Sequence, residues 1–94
     1  MKDHLKGFDD ACGAGRAIFI VRQAEYGPGS IEAGGVLAAV MELEAIVRRL
    51  KNMIGDPQPT KERLLRIEDA LTDAHNYANI GSLMLQNSNL RGDY

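Results

Sequence analysis

Val36-Leu37-Ala38-Ala39-Val40-Met41-Glu42-Leu43-Glu44-Ala45-Ile46-Val47-Arg48-Arg49-Leu50-Lys51-Asn52-Met53-Ile54 is the stretch that decides the fold. Val36, Val40, Leu43, Val47, Leu50 and Ile54 step by four and three, the spacing of an a/d seam that a helix presents to its neighbours. Charge agrees with chain direction. Glu32, Glu42 and Glu44 come early and Arg48, Arg49 and Lys51 late, which complements the helix macrodipole. Ser30 is the expected N-cap, with Gly34-Gly35 able to delay the start. The run Gly55-Asp56-Pro57-Gln58-Pro59 stops the helix.

A third helix is expected from the Thr60 cap to residue 86, with Leu64, Ile67, Leu71, Ala74, Ala78, Gly81 and Leu85 on one stripe. The short linker makes the second and third helices an antiparallel hairpin. Ala74, Ala78 and Gly81 are small enough to admit a close neighbour. Upstream, a first helix is expected over about 8–26. Gly13 and Gly15 either delay it or permit close backbone contact, and Gly27-Pro28-Gly29 ends it. No stretch alternates apolar and polar residues long enough for a half-buried strand. The expected class is all-α: one domain over residues 1–94, a three-helix subunit with a long hairpin, bundled with partner subunits.

Size supports the partners. A chain of 94 residues with one cysteine, Cys12, has no intrachain disulfide, and its two histidines, His4 and His75, lack metal-ligand spacing. Oligomerisation is the remaining device for a small core. The charged start Met1-Lys2-Asp3-His4 lacks a signal-peptide pattern, and no apolar run approaches the roughly 20 residues of a membrane span. A cytoplasmic protein without membrane contact is expected. Net charge is -2, without the basic surplus that binding DNA or RNA requires. A small anion held by a few arginines fits. The polar tail over 87–94 carries Arg91-Gly92-Asp93, a tripeptide too short to indicate adhesion.

Two constellations carry chemistry. Asp69, Asp73 and Asn76 fall at i, i+4, i+7 on one helix stripe. That stripe is either a solvated face with arginines nearby or a site for a ligand or divalent cation. Arg22, Tyr26 and Gly27 precede a glycine-rich turn, which is either an ordinary helix end or a place where a base stacks and amides meet a phosphate. Arg49 flanks the seam on the edge holding Glu42, Ala45 and Asn52, and so points toward a groove more readily than Arg48.

These elements, in order, resemble a known family. Ala24-Glu25-Tyr26-Gly27 before a helix, then Arg49-Leu50-Lys51-Asn52, then Glu68-Asp69 through Asn76-Tyr77-Ala78 look like the phage-associated nucleotide-modification domain family. That family is similar in turn to MazG-like all-α nucleotide pyrophosphohydrolases. The resemblance spans most of residues 17–86. It implies an all-α oligomer, a nucleotide ligand, and facing acids that hold Mg²⁺ at phosphates. Asp69, Asp73 and Asn76 match the polar stripe of its third helix, Tyr26-Gly27 its turn and Arg49 a basic position. The second helix departs from the pattern: Glu42, Ala45 and Ile46 stand where the family has a basic residue, an acid and a lysine. The third-helix acids are also four apart, where MazG proteins space them by three.

The expectation is therefore a homo-oligomer that binds a nucleotide or nucleotide-derived signal without cleaving it, as a phage-encoded sequestering protein would in the host cytoplasm. Its ligand-binding residues are Arg22, Tyr26, Gly27, Arg49, Asp69, Asp73 and Asn76, with no catalytic residue, metal or cofactor assigned. One alternative is a Mg²⁺-dependent nucleotide pyrophosphohydrolase using Glu42, Asp69 and Asp73. Another is a helical adaptor with no small ligand.

Overall fold

The computed structural model describes residues 2–27 and 34–86. These form α1 (Lys2–Tyr26), α2 (Gly35–Ile54) and α3 (Lys61–Gln86), with no strand among them. The fold is all-α, and α2 and α3 pack as the expected antiparallel hairpin. Each boundary has a local cause. Gly27 takes the left-handed conformation at φ 78, and its N–H donates to the Gln23 carbonyl at 2.9 Å, closing α1 as only glycine does without strain. Gly34 and Gly35, at φ 80 and 65, delay α2 to Gly35. Ser30, the expected cap, lies outside the described residues, as does the tail over 87–94. Thr60 caps α3: its Oγ1 accepts from the Arg63 N–H at 3.1 Å.

The first helix starts earlier than expected, at Lys2. Gly13 and Gly15 sit inside it and do not interrupt it. Only Gly15 meets a close neighbour.

The seam of the hairpin differs in register from the sequence reading. The core is Ile46, Leu50 and Ala70, with Met53, Ile67, Ala74 and Tyr77 packed around it, and Ala39 and Met84 are also buried. On α2 the expected positions Val40, Val47 and Ile54 are exposed, and their predecessors Ala39, Ile46 and Met53 face α3. On α3 Leu64, Leu71, Ala78 and Leu85 are exposed, and Arg63, Ala70, Tyr77 and Met84 turn inward. Ala78 therefore does not line the close contact, whereas Gly81 does: a Cβ there would sit 3.7 Å from the Ala39 Cβ. Small residues at that crossing bring the helix axes together.

Candidate functional site

α1 lies against one side of the hairpin, on α3. Gly15 is buried at this crossing. A Cβ there would stand 2.7 Å from His75 Nδ1 and 2.9 Å from Asn76 Oδ1, so the missing side chain is what lets the backbone of α1 rest on α3. His75 and Asn76 are fixed in turn. His75 Nδ1 lies 3.1 Å from Asn76 Oδ1, and its Nε2 lies 3.2 Å from Asn79 Nδ2. One tautomer, inferred from these partners, satisfies both: Nδ1–H donates to Asn76 and Nε2 accepts from Asn79. Asn76 is the one buried polar side chain among the described residues, 7% exposed.

One turn along, Arg22 reaches Asp73 at 2.9 Å. Beside this bridge opens a groove of about 530 Å³ between α1 and the hairpin, within the roughly 300–1,000 Å³ of small-molecule sites. Ala39 and Met84 contribute its apolar lining. Arg22, Tyr26, Glu42, Asn76 and Tyr77 bring polar groups and two aromatic rings. A second cavity, about 440 Å³, opens between α2 and α3, where Arg49, Asn52 and Arg66 meet Asp69 and Asp73. The two share the Arg22–Asp73 pair at their boundary. Chemically, the first offers stacking faces and hydrogen-bond partners, and the second offers guanidiniums set among carboxylates.

The seven residues singled out from sequence thus divide. Arg22, Tyr26 and Asn76 line the groove, while Arg49, Asp69 and Asp73 line the cavity. Gly27 ends α1 next to Tyr26 and lines neither. Its N–H is engaged within the helix end, and the rest of the glycine-rich turn expected to offer amides to a phosphate lies outside the described residues. Arg48 instead pairs with Glu44 at the surface, at 3.7 Å. Glu42, Asp69 and Asp73 do not converge: Glu42 lines the groove and Asp69 the cavity. No cluster of three His, Cys, Asp or Glu suited to a metal ion occurs among the described residues. Sequence reading missed Tyr77 and Arg66 as lining residues. Arg66 had a usable signal, since it stands three before Asp69 and seven before Asp73, on the same helix stripe.

The fold and these two cavities define a small all-α protein with a polar-and-aromatic groove beside a helical hairpin. No described helix is long and apolar enough to cross a membrane. No family model, curated protein or solved structure matches the chain.

Proposed function

We propose that the protein binds a nucleotide or nucleotide-derived signalling molecule along the groove and its neighbouring cavity, and releases it intact. The observation that carries this reading is the Arg22–Asp73 bridge between two compartments of complementary character. An aromatic-lined groove suits a base and ribose, and a cavity holding Arg49 and Arg66 suits a phosphate. Asp73 is engaged by Arg22 at 2.9 Å, and Arg49 lines the same cavity as Asp69 and Asp73, so guanidiniums compete with a cation for these carboxylates. Their natural role in such surroundings is to position arginines and accept hydrogen bonds from a base edge or hydroxyl. The resemblance to the phage-associated nucleotide-modification family supports a nucleotide ligand, and with it capture of a host signal in the cytoplasm by a phage-encoded oligomer.

A thermal-shift screen of nucleotides and cyclic nucleotides, with and without Mg²⁺, identifies the ligand, because a bound molecule raises Tm by mass action. Arg49→Ala removes a charge-assisted contact of about 1.5–3 kcal/mol and is expected to weaken binding at least tenfold. Asp73→Asn is expected to be mild in comparison. The best ligand, incubated with protein and excess Mg²⁺ and then recovered by chromatography, should return unchanged in stoichiometric yield. Multiple turnovers of cleaved product, with Asp73→Asn inactive, would replace this reading with the pyrophosphohydrolase alternative.

A further inference from the structure

The hydrogen bonds around His75 fix which end of the Asn76 amide faces the groove. Asn79 Nδ2 donates to the His75 backbone carbonyl at 3.1 Å, so that amide cannot be reversed without setting oxygen against oxygen. The same nitrogen lies 3.2 Å from His75 Nε2, which must therefore accept. A neutral imidazole then carries its proton on Nδ1, and the Asn76 atom 3.1 Å from it must be the acceptor Oδ1. That oxygen is occupied by His75 and covered by α1, where a Cβ on Gly15 would stand 2.9 Å from it. The Asn76 nitrogen has no acceptor among the described residues, and no unpartnered side-chain nitrogen or oxygen is sealed from solvent there. His75 and Asn79 line a separate recess of about 220 Å³ and not the groove. An amide that turns its oxygen to them turns its nitrogen to the groove.

Asn76 is thus a donor held in one orientation, on a side chain 7% exposed. Glu42 lines the same groove with the opposite character: it forms no ion pair among the described residues, and an ionised carboxylate can only accept. We propose that this pair selects the base, and that the groove takes one with a lactam edge, an exocyclic carbonyl beside a ring N–H, as in guanine, hypoxanthine and uracil. The carbonyl accepts from Asn76 Nδ2 and the ring N–H donates to Glu42. Adenine and cytosine present the reverse, an amino group beside a ring nitrogen that accepts. They would set donor against donor and acceptor against acceptor. A free asparagine pairs with adenine through both ends of its amide, which Asn76 cannot do while His75 holds its oxygen. A site built to hydrogen-bond one edge discriminates strongly, because the wrong edge leaves its polar groups unpaired. This rests on the nucleotide ligand proposed above and adds the class of base.

Titration calorimetry with nucleotide pairs of identical phosphates, inosine against adenosine and uridine against cytidine, tests the choice, since little but this edge differs within a pair. In the wild type the lactam member is expected to bind at least about tenfold tighter. Asn76→Asp keeps an oxygen for His75 and turns an acceptor to the groove, so the preference should shrink by at least about tenfold. Should that variant fail to fold by circular dichroism, Glu42→Gln, at an exposed position, is expected to shrink the preference by about threefold or more. The orientation of Asn76 has its own readout: nitrogen NMR of the ligand-free protein above neutral pH should find the His75 proton on Nδ1. Equal affinities within the wild-type pairs, a proton on Nε2, a folded Asn76→Asp of wild-type preference, or an unchanged preference in Glu42→Gln would each overturn the proposal. Binding of no nucleotide at all would remove the nucleotide ligand as well, whereas equal affinities within a pair remove only the choice of base.

Discussion

Ile46→Ala is expected to destabilise the protein by about 2–5 kcal/mol, the range for truncating a buried isoleucine. Ile46 is 1% exposed and sits where Leu50 and Ala70 meet. Shortening it removes contacts with both helices of the hairpin and leaves a cavity that a two-helix core cannot easily refill. A domain of this length has a total stability of roughly 5–14 kcal/mol, so the loss is a large share of what holds it folded. Urea unfolding followed by circular dichroism should show the midpoint falling by roughly 1–2 M. Leu37→Ala, at an exposed site, should stay within about 0.5 kcal/mol of wild type. If Ile46→Ala unfolds at the wild-type midpoint, the hairpin does not pack through this residue.

That result bears on how the sequence encodes the fold. Each expected seam combined two sets of positions seven apart, and one set in each is correct. On α2 the set Val36, Leu43 and Leu50 turns inward or stays half-buried. On α3 the set Ile67, Ala74 and Gly81 does the same. The second set is displaced by one residue on both helices. Spacing could not distinguish the candidates, because Ile46 and Val47, Met53 and Ile54, and Met84 and Leu85 are adjacent apolar pairs. What decides is volume at the crossing. Ala39 against Gly81, and Ala70 in the core, let the helices approach, while Val40 and Leu71 in those places would hold them apart. The rejected positions still form a continuous apolar stripe, which is why they read as a seam.

The candidate site was legible where it depends on one helix and obscure where it depends on how two helices cross. Asp69, Asp73 and Asn76 were found from their spacing, and Arg49 was separated from Arg48 by the edge it occupies. The Arg22–Asp73 pair joins residues 51 apart in sequence, and no periodicity links them. It exists only because α1 settles on α3 at one angle, and that angle is set by Gly15. Sequence reading held open close contact at Gly13 or Gly15. Nothing lies within 4 Å of a Cβ at Gly13, while one at Gly15 would be driven into His75 and Asn76.

Gly15→Leu is accordingly expected to undock α1 while leaving the hairpin folded. The new side chain would have to displace the His75 ring and the buried Asn76 amide, breaking the hydrogen bonds that join His75 to Asn76 and Asn79. Overpacking of this kind costs about 1–3 kcal/mol, or roughly a 5- to 150-fold change in an equilibrium. The contact between α1 and α3 is small, so a shift of that size moves α1 from mostly docked to mostly free. Once undocked, α1 loses its tertiary support and holds Gly7 and Gly13 in its interior, each costing about 1 kcal/mol relative to alanine, so it frays and its backbone becomes accessible. Trypsin should therefore cleave after Arg16 and Arg22 at least tenfold faster than in wild type, and amides over 15–26 should exchange faster. Protection around Ile46 and Ala70 should hold, because the hairpin core lies on other residues. Nucleotide-dependent stabilisation should disappear as well, since Arg22 and Tyr26 leave the groove with α1. Gly15→Ala should show the same pattern with a smaller increase, since its methyl would stand 2.7 Å from His75 Nδ1 and 2.9 Å from Asn76 Oδ1 and both side chains must shift to admit it. Wild-type cleavage and exchange rates in Gly15→Leu would mean that α1 does not depend on this contact, and that the groove is not built by the crossing at Gly15.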